Sequence, residues 1–223
     1  MSKTLSVVFG TLNRIEYLKR CIESIRKNTK LSYQIVVTDG GSEDGSIEFL
    51  KEQEDVYLIT HGLRLGAIRA FNDAFFVARG AYVANVNDDC TVVGNCFDRA
   101  VEQMEQDTRI GQVAIPFADP GKKPRLDVMG IGNPTRVLRY ANFGVTKRTL
   151  GESVGWWGTR YNTYAGDNEL SAKIWDAGYR VADLDGEGYI QHFCLQDSTR
   201  VENLDSHKFY GYWRSWVGPR TSR

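Results

Sequence analysis

Apolar residues along the chain alternate between two rhythms. Leu5, Val7, Val8 and Phe9 form a short run closed by Gly10, which predicts a strand over 5–9. Ile15, Leu18, Ile22 and Ile25 then recur at steps of three and four, the spacing of one helix face. Asn13 stands where the N-cap of that helix is expected, with Glu16 three residues on in a capping-box arrangement. A second strand over 35–38 runs into Asp39-Gly40-Gly41-Ser42, a turn-forming cluster. A short helix through Ile47 and Leu50 leads to a third strand over 56–59.

Ala67, Ala70, Phe71, Ala74, Phe75 and Ala78 make the cleanest helical stripe, with small residues placed as a helix lying close on a sheet requires. Gly80 ends it, and a strand over 82–86 runs straight into Asn87-Asp88-Asp89. A helix through Phe97, Ala100, Val101 and Met104 and a strand over 110–115 follow. Strands and helices alternating on short connections imply parallel strands joined by right-handed crossovers. Residues 1–115 therefore predict an open, doubly wound α/β sheet. Beyond them the rhythm loosens. Segment 116–134 carries four of the five prolines and predicts loops across the mouth of the sheet. A strand over 136–140 and a helix over about 167–177 are expected in a mixed region. The organisation expected is one domain over 1–200, with halves 1–115 and 116–200, and a tail over 201–223.

Composition narrows the partners. The 28 Lys and Arg are matched by 28 Asp and Glu, which argues against a sequence-independent hold on nucleic acid. With 42% hydrophobic residues the chain of 223 is a packed protein, not a disordered one. No apolar run approaches the ~18 residues of a spanning helix, and the N-terminus does not read as a signal peptide. Cys21, Cys90, Cys96 and Cys194 are scattered, which predicts buried, reduced thiols in a cytoplasmic protein. From His207 onward, Lys208, Arg214, Arg220 and Arg223 stand among Tyr210, Tyr212, Trp213 and Trp216 with no carboxylate. Such a tail either touches an anionic membrane surface, where lipid-linked acceptors sit, or packs its aromatics on the domain.

In an open α/β sheet, ligands bind beyond the carboxyl ends of the strands. That rule picks out Gly10, Thr11, Leu12, Asn13 and Arg14 after the first strand, Asp39 after the second, and Asn87, Asp88 and Asp89 after the fourth. Neither G-x-G-x-x-G nor a P-loop is present, so phosphate charge must be met another way, and a divalent cation such as Mg2+ or Mn2+ on Asp89 would do it. A strand-end Asp is equally at home in an Asx turn or an N-cap, so Asp39 stands open between the two roles.

Three strings, SVVFGTLNRIEYLKRCIESI, IVVTDGGSEDGS and GAIRAFNDAFFVARGAYVANVNDD, together resemble family 2 glycosyltransferases of the GT-A fold. The family pattern is a strand ending in P-T-x-N-R, then D-x-G-S-x-D-G-S, N-x-G-x-x-x-A-x-N and a D-x-D-type motif. Gly166-Asp167-Asn168-Glu169-Leu170 and the segment Lys173-Ile174-Trp175-Asp176-Ala177-Gly178-Tyr179-Arg180 look like the family's E-D-x-D-L…x-A-G-Y-R stretch, so the likeness covers about residues 3–195.

The resemblance implies a GT-A fold, a mostly parallel Rossmann-like sheet with a mixed C-terminal acceptor region. It implies an inverting transfer of sugar from a nucleotide-diphosphate sugar to a hydroxyl acceptor, whether a glycan, a lipid-linked acceptor or a polysaccharide precursor. Thr11, Asn13 and Asp39 fall where relatives hold the nucleotide, Asp89 where they ligate Mn2+ or Mg2+, and Asp167 where they place the general base. His192 aligns with a strand-end His that some relatives use as a further metal ligand, against the alternative of a structural His. Gly66 and Arg69 lie near the expected pyrophosphate, and Arg69 is alternatively a solvated helix residue. Trp156 and Trp157 fall near the acceptor, either as a sugar platform or as core. Gly10 and Leu12 stand where the family often has Pro and an aromatic, Asn87 replaces the first metal-motif acid, and Gly166 replaces the Glu before the base. Two other classes share these features: a nucleotidyltransferase that makes activated sugars, and a catalytically silent nucleotide-sugar binding module.

Overall fold

A computed structural model describes residues 4–64, 66–193 and 204–219. The chain begins β1 (Leu5–Thr11), α1 (Ile15–Asn28), β2 (Tyr33–Asp39), α2 (Ser46–Lys51), β3 (Val56–Thr60) and α3 (Ala67–Val77). It continues through β4 (Tyr82–Asn85), β5 (Cys90–Val93), α4 (Cys96–Gln106), β6 (Ile110–Ala114), β7 (Phe117–Ala118), β8 (Val128–Ile131) and β9 (Arg136–Arg139). Last come β10 (Gly144–Lys147), α5 (Arg148–Val154), α6 (Gly166–Asp176), β11 (Arg180–Asp183), β12 (Tyr189–His192) and α7 (Leu204–Trp213).

The central sheet has seven strands in the order β11-β6-β10-β4-β1-β2-β3. All neighbours run parallel except β10, which lies antiparallel between β4 and β6. Strands of the parallel core are buried on both faces, which is why β1 and β2 read as near-continuous apolar runs. Helix α3 crosses the face of Gly10 and Thr38, where the Thr38 hydroxyl donates to the Ala70 carbonyl at 2.9 Å. A side chain at Gly10 would press on the Ala70 Cβ at 3.1 Å, so both small residues set the closeness of that packing. Two smaller sheets, β5-β12-β7 and the hairpin β8-β9, complete the strands.

The mostly parallel α/β sheet expected from the alternating pattern is present, and the strands and helices expected up to residue 115 form within a residue or two of their places. The sheet is not finished within that half, because β10 and β11 supply two of its seven strands from the second half. Those strands are only four residues long, too short to show a period, and they were hidden in the mixed region.

The capping expectation at Asn13 requires correction. Asn13 takes a left-handed backbone, φ 53°, and Arg14 occupies the cap position without a side-chain cap bond. The N–H of Ile15 donates instead to Asp44 Oδ2 at 2.8 Å. Asn13 reaches the same neighbouring loop, its Oδ1 accepting from the Glu43 N–H at 2.8 Å. The cap thus comes from across the turn, a partner that spacing along one helix cannot reveal.

Part of the expected tail is a docked helix. Phe209 and Trp213, one turn apart on α7, are buried, which is the packing alternative for those two rings. Tyr210 and Tyr212 on the same helix stay exposed. Cys21, Cys90 and Cys96 are free and buried, whereas Cys194, Arg220 and Arg223 lie outside the described residues. Among the described residues, no helix is long and apolar enough to cross a membrane.

Candidate active site

Strand ends bring the acidic pair and the first loop together. The Thr11 hydroxyl donates to Asp88 Oδ2 at 2.9 Å, and Arg14 Nη1 donates to Asp88 Oδ1 at 3.0 Å. The same guanidinium nitrogen lies 3.6 Å from Asp89 Oδ2. Both acids are only 4% exposed. Burial pushes the Asp88 carboxyl up to about 6; the Arg14 charge opposes this, and the Asp89 carboxylate adds to it. Consecutive side chains point apart, so Asp88 serves the β1 loop while Asp89 turns toward β12.

The approach of His192 to Asp89 is set by backbone. Antiparallel pairing places His192 opposite Cys90, and the Phe193 N–H donates to the Asp89 carbonyl at 2.9 Å. His192 Nε2 consequently lies 3.5 Å from Asp89 Oδ1. Burial alone would lower the imidazole pKa, but the Asp89 and Asp119 carboxylates outweigh it and the net shift is upward. Asp89, Cys90 and His192 each offer one donor atom, all within 4.8 Å of one another. That spread suits one divalent ion, since ligands about 2.1 Å from a shared metal lie roughly 3–4 Å apart. Burial, with Asp89 adding, raises the Cys90 thiol well above its ordinary value, so carboxylate oxygen and imidazole nitrogen are the fitting donors.

Asp39 is fully buried and organises its own turn. Its Oδ1 accepts from the N–H groups of Gly41 and Ser42 at 2.8 and 2.7 Å, and its Oδ2 from the Ser42 hydroxyl at 2.6 Å. Ser42 Oγ in turn accepts from the Asn13 N–H at 2.9 Å, and the Gly40 N–H donates to the Thr11 carbonyl at 3.0 Å. These bonds are those of the Asx-turn alternative, and they fix the loops after β1 and β2 as one surface. Leu12 packs against the backbone at Gly40. The Asn87 carbonyl accepts from the Cys90 N–H at 3.2 Å, closing the turn that presents the acids.

The second half of the site is assembled on α3 and α6. Gly66 adopts φ 84°, and a side chain there would meet the Asn162 carbonyl at 2.8 Å, so glycine lets the loop before α6 close on the start of α3. Further along α3, Asn72 Nδ2 donates to the Trp157 carbonyl at 2.9 Å and its Oδ1 accepts from the Trp157 N–H at 3.2 Å. Trp156 stacks on Phe75 with centroids 4.3 Å apart, and Trp157 lies on Phe71 at 4.2 Å. Both indoles are buried and pack within the core, the arrangement the core alternative describes. Arg69 forks onto Asp73 with bonds of 2.9 and 2.8 Å on the exposed side of α3, as the solvated-helix alternative describes.

Helix α6 holds Asp167 in its first turn. A buried polar chain ties that helix to the sheet: Ser171 Oγ donates to Gln112 Oε1 at 2.8 Å, and Gln112 Nε2 donates to Thr146 Oγ1 at 3.0 Å. Asp167 is half-buried; burial pushes its carboxyl up to about 6, backbone N–H groups at the helix start oppose the shift, and the Asp127 carboxylate adds to it. Asp127 accepts from the Tyr140 hydroxyl at 3.2 Å, so the two ends of the β8–β9 hairpin flank the Asp167 carboxyl. In the loop before α6, the N–H groups of Asn162, Thr163 and Tyr164 donate to Asp205 Oδ2 at 3.0, 2.9 and 3.1 Å. Asn72, Asp119, Asp127, Tyr140 and Asp205 were not singled out from the sequence. Only Asn72 carried a signal, as the last residue of the Gly66-to-Asn72 stretch; the others are brought in by tertiary contacts.

The family model described as glycosyl transferase family 2 matches residues 6–168. Glycosyltransferase GlyG of Streptococcus pneumoniae serotype 4 is 32% identical over 110 residues, which are 48% of this chain and 36% of that protein. Glycosyltransferase AglE of Haloferax volcanii is 26% identical over 113 residues, 47% of this chain and 37% of that protein. The matches thus span well under half the length of these curated relatives. Among solved structures, S. aureus TarS 1–349 in complex with UDP superposes with a TM-score of 0.71 at 15% identity, over 85% of this chain and 60% of that one. The mannosyltransferase PcManGT from Pyrobaculum calidifontis, in complex with GDP-Man and Mn2+, gives 0.64 at 20% identity, over 82% and 55%. At these identities the likeness to solved structures establishes the fold.

Proposed function

The chain belongs to glycosyl transferase family 2, and from that premise we propose that it moves a sugar from a nucleotide-diphosphate donor to an acceptor hydroxyl, with inversion and with a divalent cation. The single observation that carries this reading is the placement of two acidic centres, one buried and one half-buried, by separate supports. Asp89 sits with His192 at the strand ends, and Asp167 sits on α6 beside the β8–β9 hairpin. The UDP bound by TarS and the GDP-Man and Mn2+ bound by PcManGT support the donor class.

Asp89 and His192 would hold the cation. When bound, it neutralises the charge that builds on the departing diphosphate. The imidazole in the donor set favours Mn2+ over Mg2+, which prefers oxygen throughout. The loops formed by Gly10, Thr11, Leu12, Asn13 and Arg14, with Asp39 shaping the facing turn and Gly66, Asn87 and Asp88 bordering it, would receive the nucleotide. Among the described residues, Arg14 brings a guanidinium to within 3.0 Å of Asp88 and 3.6 Å of Asp89.

Asp167 takes the proton of the acceptor hydroxyl as that oxygen attacks the anomeric carbon and the bond to the diphosphate breaks. An acceptor hydroxyl is a weak nucleophile at neutral pH, so a carboxylate within hydrogen-bond reach is what the step needs. A carboxyl raised toward 6 is a stronger base than an exposed Asp and is still ionised at neutral pH. Asp127 and Tyr140 add a donor and acceptors beside it, suited to a polyol such as a sugar. The acceptor is a carbohydrate or a lipid-linked sugar; in the second case the C-terminal tail would contact the membrane, a reading that exposed Tyr210 and Tyr212 on α7 support and liposome co-sedimentation tests.

A thermal-shift panel of UDP-, GDP- and dTDP-sugars, each with and without Mn2+, tests the core of the proposal. At least one nucleotide sugar is expected to raise Tm when Mn2+ is present and much less without it. If none stabilises the protein with any divalent metal, the transferase reading is wrong.

A further inference from the structure

We propose that Asp119 is a positioning residue for His192, holding the imidazole with its proton on Nδ1 so that the Nε2 lone pair is presented beside Asp89. The inference rests on the reading of His192 as a metal ligand, and it concerns a residue outside every motif of the sequence.

The arrangement begins in the backbone. Strand β7 pairs in parallel with β12, with Phe117 beside Ile190 and Ala118 beside Gln191. The Gln191 side chain locks that register, its Nε2 donating to the Ala118 carbonyl at 2.8 Å. The next residue on each strand is Asp119 on one and His192 on the other, so the two emerge side by side. Asp119 Oδ1 lies 3.4 Å from His192 Nδ1, while Asp89 Oδ1 lies 3.5 Å from Nε2. Each ring nitrogen therefore faces a different carboxylate.

A neutral imidazole has one N–H and one lone pair, and a carboxylate can only accept. If Asp89 shares a cation with Nε2, the proton belongs on Nδ1, and Asp119 is the acceptor placed to keep it there. Asp119 is itself held. Its Oδ2 lies 2.7 Å from Arg125 Nη1, and the Arg125 guanidinium sits 4.2 Å above the Phe117 ring. Residues 117 and 125 also exchange two backbone bonds of 2.9 Å, so Arg125 is fixed to the strand that carries Asp119. The rings of Phe143 and Phe117 stand edge-on to the imidazole, at 5.5 and 6.5 Å, and restrict its rotation.

The chain has three histidines, which makes the tautomer directly readable by 15N NMR of histidine-labelled protein. The full chain carrying Asp89→Ala is studied metal-free at pH 9, which removes the carboxylate facing Nε2 and leaves Asp119 facing Nδ1, with His192 assigned by the signal lost in His192→Ala. This background is expected to show the proton on Nδ1, and the added Asp119→Ala to move it to Nε2. Asp119→Asn keeps an acceptor oxygen and serves as the milder variant; it is expected to give a mixture. Mn2+ affinity, read from the EPR signal of free Mn2+, should weaken about 10- to 100-fold in Asp119→Ala, the usual loss for a residue that orients a ligand. A His192 that keeps its Nδ1 proton in both Asp119 variants overturns the proposal. So does unchanged Mn2+ affinity in Asp119→Ala where His192→Ala weakens it. If His192→Ala itself leaves Mn2+ binding intact, the metal reading has failed, and the tautomer still decides whether Asp119 orients the ring.

Discussion

At the proposed donor edge, Thr11, Arg14, Asp88, Asp89 and His192 form a chain of contacts no longer than 3.6 Å, carried on strand ends and on the loops that leave them. On the proposed acceptor side, Asp167 depends on supports that come from everywhere else: Asn72 of α3, Gln112 of β6, the β8–β9 hairpin and Asp205 of α7. Most of that edge is a property of the parallel sheet, where crossover connections deliver loops to one end by topology, and His192 is added from β12 of the three-stranded sheet. The acceptor side is a property of tertiary packing. Damage to one should therefore appear as lost donor or metal binding, and damage to the other as lost turnover or lost stability with donor binding intact.

The largest expected effect lies on the acceptor side. Asp167→Asn should lower kcat by about 10²- to 10⁴-fold, the range for losing a general base. In the wild type, kcat/KM should rise with pH to a plateau above about 6, where the raised carboxyl ionises. The linkage has the opposite sign for stability. Because the folded state binds that proton more tightly than the unfolded chain does, the group's stabilisation is complete below its ordinary pKa near 4 and is lost as pH rises through about 6. Asp167→Asn should therefore melt higher than the wild type at pH 8, with the gap closing toward pH 4. A gap that widens on acidification would contradict the assigned shift.

Next in size is Trp156→Ala, which should destabilise the protein by about 3–5 kcal/mol in denaturant titration, as for other buried aromatics. Trp156→Phe should be milder and leave acceptor KM unchanged; a large rise in that KM would return the ring to the acceptor site. Asp205→Ala removes a carboxylate that holds three backbone N–H groups and should lower stability by about 2 kcal/mol. Proteolysis focused on residues 162–164 would locate that loss, since the loop before Asp167 is what Asp205 anchors. Smallest is Arg69→Ala. Its ion pair is exposed, so stability should change by under about 1 kcal/mol and donor affinity should hold. A marked fall in donor affinity would place Arg69 at the pyrophosphate after all.

The same contrast explains what the sequence makes legible. Much of the donor edge is readable because Thr11, Asp39 and the Asp88-Asp89 pair stand within a few residues of an apolar strand, whereas His192 is reached only through likeness to the family. Asp167 is readable through its helix and through likeness to the family, whereas its neighbours Asp127, Tyr140 and Asp205 are set by which loops happen to meet. Asn13 and the two tryptophans show the limit from another side. Each sits at the expected position in the chain, yet Asp44 caps the helix from the facing loop, and Phe71 and Phe75 cover the indoles. Position along the chain does not say what stands opposite.

The most direct test of the division between the two regions is calorimetric titration of the stabilising nucleotide sugar, with and without Mn2+, into the wild type, Asp89→Ala and Asp167→Asn. The account predicts that Asp89→Ala loses the Mn2+-dependent part of donor binding while Asp167→Asn binds donor as the wild type does and fails to transfer it. Equal loss of donor binding in both variants would contradict it.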